Sequence, residues 1–322
     1  MSHPERAVLL SAATAGPRLV AVGAAGLIVV SGDYGDTWTQ VPSPVSVTLT
    51  AVAFANERVG WAVGHSGVIL GTTDGGKTWV RQYDGRRLIA TLTSQSPAEA
   101  SSEMGAPEEG GTSVQQMIDD GPDKPLLAVY VASPTDVMVV GSYGLLLVTQ
   151  DGGHRWVPRL DLTRADKGKH LYAVLRSGTK VFYAGEAGGL FWSEGIDMPL
   201  KAIGSPYAGT FFGLVSTTDN GLIAFGLRGH AVASHDDGRT WTLLDVGAIG
   251  SVNAGARLRD GRIALATQAG EILLSEDGDK PFTHVMAPGA PAPYSDLIES
   301  RQGLVAVGFR GVVRIALPAD HH

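Results

Sequence analysis

A short cassette, Ser/Thr-x-Asp-x-Gly-x-Thr-Trp, recurs along this chain, each time after a Gly-x-x-Gly and a short apolar run. Ser31-Gly32-Asp33-Tyr34-Gly35-Asp36-Thr37-Trp38 is answered by Thr72 to Trp79, by Thr149 to Trp156 and by Ser234 to Trp241. The residue that opens the Gly-x-x-Gly gives the period: Gly23, Gly64, Gly141, Gly185, Gly226, Thr267 and Gly308, spaced by 41, 77, 44, 41, 41 and 41 residues. One spacing is longer by 36 residues, which marks an insertion. Self-similarity of this length means one supersecondary unit repeated. A unit of about 40 residues with four short strands is a propeller blade, and four to eight such blades close into a ring. The sequence therefore predicts an all-β fold, a single seven-bladed propeller over 1–322 built of four-stranded antiparallel blades.

The second unit shows the four strands (A to D) most cleanly, as Leu49 to Phe54, Val59 to Val63, Val68 to Thr72 and Thr78 to Gln82. Each run is apolar or alternating and is bounded by turn residues. The cassette then falls on the C–D hairpin. Its carboxylates, Asp33, Asp74, Asp151 and Asp236, are expected to accept backbone amides of their own turns, and the glycines to supply positive φ. Trp38, Trp79, Trp156 and Trp241 are expected to anchor the next strand by burial. A calcium loop or a catalytic carboxylate pair is the weaker reading, because these residues sit at the outer ends of separate blades. Two units depart from the pattern. Unit four reads Ser193 to Leu200 and unit six Asp277 to Phe282, without the tryptophan, so irregular hairpins are expected there. Unit seven runs only to Leu317 in this register. Its blade is either three-stranded or closed by a short strand from Ser2 to Arg6.

With 43 Gly and 17 Pro the chain is turn-rich, yet 44% of its residues are hydrophobic, enough for a core shared between blades. A net charge of −7 argues against a nucleic-acid footprint. No apolar run approaches the ~20 residues of a membrane-spanning helix. There is no cysteine, hence no disulfide or thiolate chemistry, and the nine histidines include no pair at metal-ligand spacing. No metal, cofactor or catalytic residue is assigned. Ala7 to Ala15 resembles the apolar part of a signal peptide but occupies the offset of strand A, so any export leader is expected to be absent from this sequence.

The second unit, Gly60-Trp61-Ala62-Val63-Gly64-His65-Ser66-Gly67-Val68-Ile69-Leu70 followed by Asp74-Gly75-Gly76-Lys77-Thr78-Trp79, resembles the photosystem II stability/assembly factor family, the Ycf48-like propellers, and the wider class of Asp-box (BNR) repeat proteins. The resemblance extends over nearly the whole chain apart from the insertion. It implies a non-enzymatic, exported propeller in the periplasm that helps assemble or stabilise a membrane-protein complex, such as a transporter where no photosystem exists. A monomer is expected, with the cytoplasm kept open as the alternative compartment.

Blade connectivity places B–C and D–A loops on one face and A–B and C–D loops on the other. Binding residues concentrate on loops carried by a rigid scaffold. The B–C loops offer His65, Tyr143, Glu186, Arg228 and Arg310 as the candidate partner-binding residues. A plainly solvated surface is the competing reading. The insertion, 84–125, is a D–A connection and should emerge on the same face. Its centre, 94–113, has a composition that cannot build a core and is expected to be mobile, while Arg86 to Leu92 and Val114 to Ile118 suit short amphipathic segments. The rival class is a sialidase-like glycoside hydrolase or a carbohydrate-binding Asp-box protein. Glu186, Asp161, Asp166, Tyr143, Arg228 and Arg310 supply the residue types for hydrolysis, but the Phe/Tyr-Arg-Ile-Pro motif of sialidases is missing.

Overall fold

The computed structural model describes residues 3–94, 114–166, 168–218 and 220–318. Seven antiparallel sheets follow one another in chain order, each a meander whose strands pair A–B–C–D. The A strands are Leu9–Ala15, Leu49–Phe54, Leu126–Val131, Leu171–Ser177, Phe211–Ser216, Val252–Arg257 and Tyr294–Ser300. Each packs against the A strand of the next blade, and the last packs against the first, so the ring is closed with the A strands innermost. Six blades have four strands and blade 7 has three.

Every position of the B and C strands of blade 2, Gly60–Gly64 and Ile69–Thr72, is buried, because these strands are sandwiched between neighbouring blades. The apolar side chains gather into seven clusters, one at each seam. Between blades 1 and 2, Val20, Val22 and Ile28 meet Leu49, Ala62, Leu70 and Trp79. Between blades 7 and 1, Val305 and Val307 meet Leu9, Leu19, Leu27 and Trp38. Burial of this kind contributes about 25 cal/mol per Å² of apolar surface.

The cassettes are self-contained turns. Asp74 accepts the Lys77 and Thr78 amides at 3.0 Å each and the Thr78 hydroxyl at 2.6 Å, and the Trp79 indole donates to the Gly76 carbonyl at 2.9 Å. Asp33 and Asp236 repeat the arrangement with Thr37 and Thr240. These donors hold the Asp33 and Asp236 carboxyls below the usual carboxylate range, and the Arg155 amide and Thr149 hydroxyl do the same at Asp151. At Asp74 burial pushes the other way and the donors outweigh it. Blade 3 differs in its tryptophan: the Trp156 indole donates not to its own turn but to Gln82 Oε1 at 3.3 Å, which also accepts the Trp61 indole at 3.1 Å. Unit six keeps a carboxylate turn despite losing the tryptophan, with Asp277 accepting the Asp279 and Lys280 amides at 2.9 Å. Unit four has no such turn; Ser193 Oγ donates to the Gly195 carbonyl at 2.7 Å, and Asp197 is ion-paired with Arg159.

In six blades the first residue of the Gly-x-x-Gly is a glycine constrained by space rather than by φ, while blade 6 carries Thr267 there. At Gly64 φ is −173°, ordinary extended backbone, but an added Cβ would fall on the Thr48 carbonyl oxygen. The cause is a bulge shared by all seven A strands. In blade 2 the register shifts between Leu49 and Ala51, so the strand curls inward and brings residue 48 over the end of strand B. The His65 amide donates to that same carbonyl at 2.9 Å.

Ring closure takes the three-stranded form of the two expected. The residues Pro4–Arg6 form a 3-10 turn packed against the third strand of blade 7, Gly311–Ile315, rather than a closing strand. The seam is also tied at the channel. The A-strand position two past the bulge's first partner is small in six blades, Ser11, Ala51, Ala128, Ala173, Gly213 and Ala254, and is Asp296 in blade 7. Asp296 Oδ2 accepts the Ser11 hydroxyl and the Ala12 amide, both at 2.9 Å. Ser11 Oγ in turn accepts the Val52 amide at 3.2 Å, so one relay joins blades 7, 1 and 2.

The flanks of the insertion are helical. Helix α1, Gly85–Ser94, is N-capped by Asp84, whose Oδ1 accepts the Arg87 amide at 3.0 Å. Helix α2 is Val114–Asp119. Leu88, Leu92 and Met117 are buried in the cluster between blades 2 and 3, with Tyr83 and Leu126. The centre at 95–113 lies outside the described residues.

Candidate binding face

Each B–C connection is a tight turn, and in five blades its second residue is left-handed without being glycine: Ala25, Ser66, Tyr143, Ala187 and Arg228, with φ between 51° and 58°. A glycine follows at the third place, where a Cβ would strike the neighbouring D–A connection: Val45 for Gly26, Tyr207 for Gly188, Ala248 for Gly229. The two loop sets therefore interlock on one face. The insertion joins it, since Asp123 Oδ1 accepts both the Ser66 amide, at 3.2 Å, and the Ser66 hydroxyl, at 3.1 Å.

The candidate residues lie around the ring on this face. His65, Arg228 and Arg310 are exposed, on blades 2, 5 and 7, and are not gathered together. Tyr143 and Glu186 are brought together through His170, a histidine that stands alone in the sequence. The His170 ring lies 5.1 Å from the Tyr143 ring and is stacked 6.2 Å from Tyr172, which in turn meets Phe212 edge-on at 5.7 Å. His170 Nδ1 is 3.1 Å from Glu186 Oε2 but out of line for a hydrogen bond, while the His170 amide donates to that oxygen at 3.3 Å. Lys124 Nζ stands over the Tyr143 ring, 5.6 Å from its centroid. The outcome is a run of half-buried rings across blades 3 to 5. Its sequence signal was the alternation His170-Leu171-Tyr172 at the start of a strand, repeated as Phe212 one blade later.

The carboxylates named for hydrolytic chemistry have separate employments. Asp161 is paired with Arg159 at 2.9 Å. Asp166 is 1% exposed beneath the turn that carries Tyr143. Its Oδ1 accepts the Gly168 amide at 2.7 Å, and its Oδ2 has no partner among the described residues. Burial pushes this carboxyl up to about 7, against the Gly168 amide and the Lys169 charge. A free aspartate titrates near ~3.9, so between about pH 4 and 7 the folded chain holds a proton that the unfolded chain releases. The stability this contributes is complete below the unfolded value and is lost as pH rises through the folded one. Asp166→Asn cannot titrate. Its melting temperature relative to wild type should therefore rise steadily from pH 4 to pH 8, measured by paired thermal melts. An offset independent of pH would show that Asp166 ionises freely.

Among the described residues there is no group of His, Asp and Glu arranged to hold a metal, and no helix is long and apolar enough to cross a membrane.

Comparison with known proteins bears on this geometry. The family model described as photosynthesis system II assembly factor YCF48 matches residues 18–95, which is most of blades 1 and 2. The photosystem II assembly lipoprotein Ycf48 of Synechococcus sp. (strain CC9902) is 24% identical over 246 residues, covering 70% of this chain and 72% of that protein. Among solved structures, YCF48 bound to D1 peptide superposes with a TM-score of 0.68 at 17% identity, covering 97% of this chain and 93% of the other. YCF48 from Cyanidioschyzon merolae gives 0.67 at 16% identity, covering 96% and 95%. The WD40 propeller domain of Doa1 gives 0.66 at 12% identity, covering 96% and 92%, so the superpositions establish the propeller and the sequence matches point within it. Taken with the cassettes and the seven blades, they show a seven-bladed β-propeller that is similar to the Ycf48 proteins.

Proposed function

We propose that this chain is a non-enzymatic, exported scaffold that binds a membrane-protein partner through its B–C/D–A face and helps assemble or stabilise a membrane complex, a transporter being one candidate. The observation that carries this reading is the concentration on one face of every B–C turn, the anchored ends of the insertion, and the exposed Arg228 and Arg310. The similarity to proteins named as assembly factors supports it, and so does the similarity to a YCF48 whose structure was solved with a D1 peptide bound. The relative's designation as a lipoprotein fits an exported location. His65, Tyr143 and Glu186 belong to the same surface in this reading.

The test is co-purification from detergent-solubilised membranes. Arg228→Glu/Arg310→Glu should lose the captured membrane protein in a salt-dependent way while keeping its melting temperature, because exposed charges act largely on encounter. Lys77→Glu on the cassette face should change nothing. Equal capture by the double variant, with loss at Lys77, would move the function to the opposite face. Turnover of an aryl glycoside abolished by Glu186→Gln would replace the reading with hydrolysis.

A further inference from the structure

The binding face is divided into two sectors of different chemistry. The connection 159–170, between blades 3 and 4, carries Arg159, Asp161, Arg164, Asp166, Lys167 and Lys169. The connections 245–251 and 286–293, between blades 5 and 6 and between 6 and 7, read Asp-Val-Gly-Ala-Ile-Gly-Ser and Met-Ala-Pro-Gly-Ala-Pro-Ala-Pro, with Asp245 as their one charged residue. The Asp245 carboxylate is turned to its own loop, accepting the Gly247 amide at 2.9 Å.

Large apolar side chains stand out of this sector. Ile249 is 83% exposed, Met286 89%, Phe309 60% and Leu227 36%. The loops that carry them are fastened edge to edge: the Arg228 amide donates to Ser251 Oγ at 3.1 Å, the Gln268 amide to the Ser251 carbonyl at 2.8 Å, and the Phe309 amide to the Pro293 carbonyl at 3.2 Å. Ile249 is held at its tip. Its amide donates at 3.1 Å to Glu271 Oε2, which also accepts the Thr267 hydroxyl at 3.0 Å. Single exposed apolar residues need no explanation, but several on loops fastened to one another mark a contact surface. Arg228 and Arg310 flank the set, and neither has an ion-pair partner among the described residues.

We propose that this strip, Leu227, Ile249, Met286 and Phe309 between Arg228 and Arg310, is the docking surface for an extended protein segment bearing apolar side chains together with carboxylates. The inference deepens the scaffold reading and rests on it for the nature of the partner. The apolar residues define where the segment lies. The two guanidiniums, on a chain of net charge −7, select its acidic character.

The experiment selects from a displayed library of random short peptides on the immobilised full chain. Enriched peptides should combine aliphatic or aromatic residues with Asp or Glu. The best of them should bind about tenfold or more weakly to Ile249→Ser/Phe309→Ser, as central contacts of an interface do, and more weakly to Arg228→Gln/Arg310→Gln by a loss that shrinks as salt rises. Val80→Ser and Leu243→Ser, on outer strands, should leave its affinity unchanged, and matched thermal melts confirm folding. Failure to enrich any peptide, enrichment of basic peptides, or binding indifferent to the strip overturns the proposal. So does binding to phosphatidylglycerol vesicles that Phe309→Ser abolishes, which would make the occupant a membrane surface. Self-association in sedimentation that Ile249→Asp abolishes would make it a second copy. If peptides bind the strip but no membrane protein co-purifies through Arg228 and Arg310, the scaffold reading falls while the docking surface stands.

Discussion

Replacing Trp79 with alanine should lower stability by about 3–5 kcal/mol, the range for truncating a buried aromatic. Trp79 is 6% exposed at the seam between blades 1 and 2, edge-on to Phe54 at 6.1 Å between ring centroids. Its indole nitrogen is bonded to the Gly76 carbonyl, so alanine forfeits apolar contact at the seam and a hydrogen bond inside the turn. The A strand has no means of collapsing into the void, because it is bonded to strand B and pressed against blade 1. Thermal unfolding at a fixed scan rate measures the loss. A melting temperature equal to that of wild type would mean the cassette tryptophans are not structural anchors. The protein that remains folded should still bind its partner, since Trp79 lies at the hairpin end of the blade, away from the B–C turns.

Asp296→Ala should cost about 2–4 kcal/mol, because it leaves the Ser11 hydroxyl and the Ala12 amide without their acceptor. Alanine fits the space, as Ala51, Ala128, Ala173 and Ala254 occupy the same place in other blades. The loss would therefore report the hydrogen bonds rather than a cavity. Burial pushes the Asp296 carboxyl up against the pull of three donors. Asp296→Asn keeps one acceptor oxygen and should lose less. Among the described residues blade 7 has no fourth strand to secure the ring from outside, so Asp296→Ala should also raise the rate of limited proteolysis near both termini. An Ala variant as stable and as resistant as wild type would place the closure wholly in the apolar seam of Val305 and Val307 with Leu9 and Leu19.

Sequence and structure agree where the interactions are short in sequence. Asp74 reaches Thr78 four residues on, and Trp79 reaches Gly76 three residues back, so the cassette carries nearly its whole environment within itself. In the sequence Gly64 marks only the period; the structure shows its constraint, a carbonyl from the bulged A strand where a Cβ would stand. Trp156 is buried as expected, but its indole acceptor is not local: Gln82, 74 residues away, takes the place of the turn carbonyl. The candidate site was legible as a face and not as an arrangement. Tyr143 and Glu186 meet only through His170, which belongs to a D–A connection with no repeat signature.

From the sequence alone came the period, the number of blades, the strand order and the side on which each loop lies, because a repeated meander has one way to close and its turns are specified within a few residues. The tertiary structure decided how the ring is joined and what its face presents. Asp296 and Ser11 are 285 residues apart. Leu227, Ile249 and Phe309 come from the blade 5 turn, the connection between blades 5 and 6, and the blade 7 turn, and whether such side chains are core or contact surface depends on the loops beside them. Those neighbours exist only once the ring has closed.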